Sequence, residues 1–164
     1  MDEDEVKDAT RKHILDVNEI LGFVIKQLVM RGVQHDHSKL EDEELPIFVK
    51  YTPKLRDTTY GSDEYKTFLK EMKPALDHHY AENRHHPEHF ENGIDDMNLI
   101  DIIEMLCDWW AATRRHADGD IHKSININTG RFSLFPQLAK ILENTVKYMA
   151  NAEDSLSASD CKKE

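Results

Sequence analysis

Apolar residues recur at helical spacing along most of this chain, and this periodicity restricts its fold more than any other feature. The longest stripe lies near the amino terminus and advances by steps of three and four residues. Its members are Ile14, Val17, Leu21, Val24 and Leu28. The stripe predicts one amphipathic helix over residues 3–31, which ends where Gly32 takes a position typical of a helix C-terminus.

Similar patterns predict the rest of the secondary structure. Further helices are expected over residues 43–51, 63–72, 74–80, 98–116 and from about 134 or 136 to 151. Residues 52–62 and 83–96 are predicted loops, and the alternation of isoleucine and asparagine over 125–128 allows a short extended segment. We therefore expect an all-α protein, a single-domain helical bundle over residues 1–152 with a flexible polar tail over 153–164.

The chain is strongly acidic, and this charge excludes several classes of partner. Its 32 acidic residues outnumber its 21 lysines and arginines, which gives a net charge of −11. Such a chain repels nucleic-acid backbones and anionic membranes, so we expect neither a nucleic-acid polymer nor a membrane as a partner. The acidic amino terminus is unlike a secretory signal, and the two cysteines make no disulfide framework. These features predict a cytoplasmic protein that acts on a small molecule.

Histidine is unusually frequent and clustered. Seven of the ten histidines lie in two short stretches, residues 35–37 and 78–89. The pair His35-Asp36 is uninformative by itself, because chance produces such a pair in a chain this rich in both residues. Other candidate ligands accompany the pair, namely His13, His78, His79, His85, His86 and Asp108. Imidazoles and carboxylates that converge from separate helices are typical of a catalytic divalent-metal site in a bundle.

Each candidate also has a simpler explanation. His13 lies on the apolar stripe and is expected to face inward, where a lone histidine is more often a hydrogen-bonded core residue than a ligand. The histidines of residues 78–89 could form a polar surface loop. Asp108 is either a ligand or part of a solvated face with Asp101 and Glu104, although an unpaired buried carboxylate is costly.

The order of these residues resembles the metal-binding signature of the HD-domain superfamily of metal-dependent phosphohydrolases. The matching positions are His13, His35-Asp36, His78-His79 and Asp108. The run from His35 to Lys39 resembles a His-Asp-x-Gly/Ser-Lys form that occurs in phosphohydrolase branches and in a diiron oxygenase branch. Residues 78–89 also resemble a small, largely uncharacterised HD-like family of phages and bacteria. The resemblance covers residues 10–116 and implies a helical bundle of the HD-domain type.

This resemblance implies a site for one or two divalent transition-metal ions, with Mn, Fe, Zn, Co and Ni as candidates. The implied ligands of the first ion are His13, His35, Asp36 and Asp108. Asp36 would bridge to a second ion. The ligand set of that second ion would be completed by His79 together with His86 or His78.

The resemblance also implies roles for neighbouring polar residues. The candidate catalytic residues are Lys39, Glu82 and His85. The candidate substrate-binding residues are Lys39, Arg84 and His89. Lys39 would hold a phosphate oxygen, unless it is simply a surface lysine. Glu82 would act as general base or orient a ligand histidine, a role for which Glu43 and Glu88 are alternatives.

The implied reaction is hydrolysis of a small phosphate ester, with a nucleotide as the favoured substrate, through in-line attack of a metal-activated water. Two other functions remain open: an HD-type diiron oxygenase, and a non-catalytic metal-containing binding or inhibitory protein. If the chain is phage-encoded, its location is the host cytoplasm. The apolar faces of the helix predicted over residues 98–116 would also allow a homodimer.

Overall fold

The computed structural model describes residues 2–58, 62–115 and 119–160, with the backbone alone over 153–160. Over these residues the chain forms seven α-helices, three 3₁₀ turns and no strand, which confirms the all-α prediction. The chain divides into two units, Met1–Asn83 and Arg84–Glu164, and each is described by itself.

The first unit contains four helices. They are α1 (Glu3–Gln34), α2 (Leu45–Arg56), α3 (Asp63–Glu71) and α4 (Lys73–Glu82). A 3₁₀ turn, His37–Leu40, follows α1 and packs against both α2 and α4. Tyr51, Met72 and Ala75 are the buried apolar residues of this unit.

Helix α1 differs from its prediction in where it ends and in whether its side chains are buried. Asp2 and Glu5 form a capping box that starts the helix. The helix does not end at Gly32 but continues to Gln34, because an interior glycine costs a helix only about 1 kcal/mol. None of its side chains is buried, so the prediction that His13 faces a core is wrong. The continuous helix also places His13 about 33 Å from His35, at 1.5 Å per residue.

Helix α2 extends into a segment that was predicted to be a loop. Pro53 lies inside the helix, which continues to Arg56. A proline removes one backbone hydrogen bond of a helix, but the next turn still closes here, since the amide of Asp57 donates to the carbonyl of Pro53 at 3.3 Å. The predicted loop over residues 52–62 therefore begins only after Arg56.

The second unit contains three helices and two short turns. The helices are α5 (Leu99–Thr113), α6 (Ile121–Arg131) and α7 (Pro136–Asp160). The 3₁₀ turns are Pro87–His89 and Gly93–Asp96, within the segment predicted to be a loop. The backbone of α7 extends into the predicted polar tail, of which residues 161–164 lie outside the described part of the chain.

The predicted extended segment at residues 125–128 is wrong, because it lies inside α6. Asp120 caps this helix by accepting hydrogen bonds from the amides of His122 and Lys123. Ile121 and Ile125 are one helical turn apart and both are buried. A four-residue alternation is too short to distinguish a strand from a helix, and burial of one helical face decides between them.

The hydrophobic core of the second unit lies between its three helices. Its buried members are Ile102, Met105, Leu106, Ile121, Ile125, Leu134, Leu142 and Val146. Trp109 adds to this core by stacking on Phe132, with ring centroids 6.2 Å apart and ring planes 3° from parallel. Among the described helices, none is both long and apolar enough to cross a bilayer.

Candidate metal centre

Asp36 lies where the chain turns from α1 into the 3₁₀ turn. Its φ of 58° and ψ of 15° fall in the left-handed region, which aspartate and asparagine tolerate better than most residues. The turn buries Ser38 and brings the Asp36 carboxylate against His79 of α4. The local backbone thus places a short acidic side chain beside a buried imidazole.

His79 contacts a carboxylate with each of its ring nitrogens. Nδ1 lies 3.0 Å from Oε2 of Glu44, and Nε2 lies 3.2 Å from Oδ1 of Asp36. In the tautomer that carries its proton on Nδ1, His79 donates to Glu44. The contact between the unprotonated Nε2 and Asp36 then requires a positive charge between the two atoms.

That charge is either a second proton on the imidazole or a metal ion bound by both atoms. Two ligands about 2.0–2.2 Å from one metal lie roughly 2.8–3.6 Å apart at octahedral or tetrahedral angles. The 3.2 Å between His79 Nε2 and Asp36 Oδ1 falls in this range. Metal-binding histidines also donate their other ring N–H to a carboxylate or carbonyl, as His79 does to Glu44. The residues present therefore fit a divalent metal.

Glu44 is fully buried and orients two consecutive imidazoles. It precedes the first residue of α2, and its Oε1 accepts a 2.8 Å hydrogen bond from Nδ1 of His78. The hydrogen bond to Glu44 is the main cause of a raised pKa at His78, with Glu82 and Glu43 adding to it against partial desolvation. One carboxylate thus fixes the ring orientations of both His78 and His79.

Asp36 also faces His35 and Lys39. Its Oδ2 lies 3.6 Å from Nε2 of His35 and 2.6 Å from Nζ of Lys39. Burial raises the pKa of the Asp36 carboxyl, but the contact with His79 and the ammonium of Lys39 outweigh burial and hold this pKa well below its usual range. The carboxylate is therefore ionised and available to a cation at every physiological pH.

Each carboxylate of this cluster has a basic side chain beside it. The ammonium of Lys39 lies against Asp36, and His78, whose pKa is raised, lies against Glu44. Among the described residues, buried histidines and carboxylates lie close enough together to hold a metal ion.

Ser38 and Asn83 complete the polar network around His79. The side-chain amide of Asn83 donates to Ser38 Oγ at 2.8 Å and to the carbonyl of His79 at 2.8 Å. Ser38 Oγ also lies 3.2 Å from Nδ1 of His79. Because these groups are buried, their hydrogen bonds restrict rotation of the imidazole. Glu82, the predicted general base, lies exposed at the end of the same helix.

The second unit contains a buried pair of polar residues. Nδ1 of His85 lies 3.3 Å from Oε1 of Glu104 on α5, and both side chains are buried. The ring of His86 lies beside that of His85, with centroids 4.1 Å apart. Asp108, one helical turn after Glu104, is half-buried. Glu104 is therefore not part of the solvated face that the sequence allowed, since its exposed fraction is only 8%.

Arg84, a predicted substrate-binding residue, is engaged within the second unit. Its Nε and Nη2 donate to the two oxygens of Asp101 at 3.2 and 3.0 Å, and its guanidinium lies over the ring of Phe90. Asp101 is fully buried, so it is not part of the predicted solvated face either. His89 packs against the edge of Phe90. The pair with Asp101 uses two of the five N–H donors of Arg84, and the side chain is 43% exposed.

Sequence reasoning missed Glu44 as the residue that orients the histidines and considered its neighbour Glu43 instead. Glu43 is exposed, whereas Glu44 has no exposed surface. The available signal was position: Glu44 directly precedes Leu45-Pro46, a typical helix start. Glu104 carried a weaker signal, since it lies between the core residues Ile102 and Met105.

Comparison with known proteins adds a family. The model of DUF5662, a family of unknown function, matches residues 2–148. The chain belongs to this family. No curated protein and no solved structure matches it. In this DUF5662 protein, the matched region includes every candidate ligand named above, from His13 to Asp108.

Proposed function

We propose that this DUF5662 protein is a metal-dependent phosphohydrolase that cleaves a small phosphate ester, with a nucleotide as the favoured substrate. The observation that supports it best is the chain of contacts from Glu44 through His79 to Asp36. Such a carboxylate–imidazole pair facing a second carboxylate is typical of a catalytic metal site. The resemblance of residues 35–39 to the HD signature gives the same interpretation from the sequence.

In this proposal, Asp36, His79 and His35 hold the metal, and Glu44 fixes the ring of His79. A divalent metal, when bound, lowers the pKa of a coordinated water and so supplies a nucleophile at neutral pH. Lys39 binds a phosphate oxygen of the substrate, because its half-buried ammonium lies 2.6 Å from Asp36 at the edge of the proposed metal site. With a metal held by Asp36, the ammonium of Lys39 would be available to the substrate.

The charge of the chain favours a small substrate. A net charge of −11 repels a polyanion over its whole length, whereas a single phosphate meets only the local field of the metal and Lys39. A cytoplasmic location, where nucleotides are abundant, belongs to the same proposal.

Residues of the second unit enter the proposal from the sequence alone. His86 and Asp108 are predicted ligands, and His85 is a predicted catalytic residue. Alanine variants at these positions test whether each contributes to metal affinity. His13 is omitted from the ligand set of its own chain, because the helix places it about 33 Å from His35.

The decisive experiment compares phosphate release by matched variants. Metal-free protein is supplied with Mn²⁺ and a panel of nucleoside mono-, di- and triphosphates. The test variant is Asp36→Asn, because asparagine keeps the side-chain shape and tolerates the left-handed backbone. The control is Asp42→Asn, the same change at an exposed carboxylate six residues away.

We expect wild-type protein and the control to release phosphate only when metal is added, and Asp36→Asn to lose activity on the order of 100-fold or more. Release that is independent of metal, or that survives in Asp36→Asn, contradicts the proposal. Tight Mn²⁺ binding by Asp36 without release from any substrate favours a non-catalytic metal protein instead.

A further inference from the structure

Helix α1 exposes far more apolar surface than a helix of an isolated monomer normally does. Eleven large apolar side chains along its length are between 41% and 69% exposed. Scattered apolar side chains are normal on a protein surface, whereas an exposed apolar stripe along one face of a helix is typical of an interaction site.

One face of α1 is apolar and exposed over most of its length. This exposed stripe consists of Ile14, Leu21, Ile25 and Val29, which are 59%, 53%, 60% and 61% exposed. The spacing of seven, four and four residues keeps all four on one side of the helix. Their neighbours Val24 and Leu28, which the sequence placed on the same apolar stripe, are partly buried in their own unit.

The charges of α1 are distributed unevenly between its two halves. Residues 2–19 contain seven acidic and three basic residues. Residues 20–34 contain Lys26 and Arg31 and no acidic residue. The two halves therefore have opposite net charge, and α1 is complementary to a second α1 that runs in the opposite direction. Antiparallel pairing also aligns the helix dipoles favourably.

We propose that a second copy of this chain packs its α1 antiparallel against this exposed stripe to form a homodimer. The stripe is nearly symmetric about the midpoint between Leu21 and Gly22. In an antiparallel pair centred there, Ile14 lies opposite Val29 of the partner subunit. An added Cβ at Gly22 would meet nothing within 4 Å, so the backbone leaves space at the centre for close approach.

A stable interface buries about 800 Å² on each partner. The exposed stripe supplies the apolar centre of that area, and the polar side chains that flank it on α1 supply the rim. Helix α5, which the sequence also allowed as a dimer surface, instead buries Ile102, Met105 and Leu106 in the core of its own unit. The proposal is independent of metal binding and of phosphohydrolase activity.

Two matched variants test the face that is used. Ile25→Asp places a charge on the exposed stripe, and Phe23→Asp places the same charge on the opposite side of α1. The two side chains are similarly exposed, 60% and 64%, so neither substitution disturbs a core. Light scattering after size-exclusion chromatography gives the mass, and circular dichroism confirms that each variant is folded.

We expect a dimer for the wild type and for Phe23→Asp, and a dissociation constant raised at least 100-fold for Ile25→Asp. A wild-type protein that remains monomeric at all concentrations overturns the proposal. Dissociation by Phe23→Asp with a dimeric Ile25→Asp overturns the choice of face.

Crosslinking tests the direction of the two helices. In a background with Cys107→Ser and Cys161→Ser, Leu21→Cys is expected to crosslink to its own copy through a short bis-maleimide. Ile14→Cys is not, because antiparallel helices separate the two copies of residue 14 by about 22 Å. Efficient crosslinking of Ile14→Cys to itself indicates parallel helices and contradicts the proposal.

Discussion

At the scale of single residues, the main feature of the candidate metal centre is that neighbouring side chains fix the orientation of the His79 imidazole. His79 is held at Nδ1 by Glu44 and faces Asp36 at Nε2. Ser38 and Asn83 surround the same ring. The orientation of the proposed ligand is thus fixed before any metal binds, which reduces the entropy cost of binding.

Removing the charge of Glu44 is expected to weaken metal binding without removing a ligand. Glu44→Gln keeps the size of the side chain but presents a weaker acceptor to His79, and loss of such an outer partner typically lowers metal affinity 10–100-fold. The matched control is Glu43→Gln at the exposed neighbouring position. Isothermal titration with Mn²⁺ measures both. Equal affinities for the two variants contradict the role assigned to Glu44.

Lys39 provides a test that separates substrate binding from metal binding. Lys39→Met keeps the alkyl length and removes the ammonium that lies 2.6 Å from Asp36. We expect phosphate release to fall about 10- to 100-fold while the metal content stays at the wild-type level, since charge stabilisation of a phosphate is lost. Elemental analysis beside the activity assay checks this. A parallel loss of metal assigns Lys39 a structural role.

The sequence predicted part of this centre, and the reason is chemical. Asp36 and His79 were identified because their residue types and order resemble a known signature. Glu44 was not, because glutamate is common in this chain and its burial, rather than its residue type, distinguishes it from Glu43. Burial of a lone acidic residue depends on tertiary packing, which local periodicity does not encode.

At the scale of elements, most helices follow from periodicity and capping, and the errors occur at glycine, proline and short alternating segments. The start of α5 shows how several interactions combine. Asn98 accepts hydrogen bonds from the amides of Ile100 and Asp101, and Asp101 accepts one from the amide of Asn98. Asp101 also binds Arg84 with both oxygens. One buried carboxylate therefore both caps α5 and anchors the segment that precedes it in the chain.

Asp101→Ala is expected to destabilise the protein strongly. It removes half of the capping box and leaves the guanidinium of Arg84 without its carboxylate, which together cost roughly 2–4 kcal/mol. Asp95→Ala, at an exposed position before the same helix, is the control and is expected to stay within about 0.5 kcal/mol of wild type. The midpoint of urea unfolding measures both. Similar midpoints for the two variants contradict this account of α5.

At the scale of the whole molecule, metal binding and stability are linked. A ligand that binds only the folded protein stabilises it by about 2.7 kcal/mol at 100 times its dissociation constant. We therefore expect Mn²⁺ or Zn²⁺ to raise the melting temperature of the wild type and to leave Asp36→Asn nearly unchanged. Differential scanning fluorimetry across metal concentrations measures this shift. A wild-type melting temperature that is the same with and without metal would falsify a preformed site.

Glu44 has a consequence for how the first unit moves. It directly precedes α2, and its carboxylate contacts the imidazoles of two consecutive residues of α4. These two helices cannot slide past each other without breaking both hydrogen bonds at once. Opening of this region is therefore expected to be abrupt rather than gradual, and slow hydrogen–deuterium exchange at the backbone amides of His78 and His79 would be its signature.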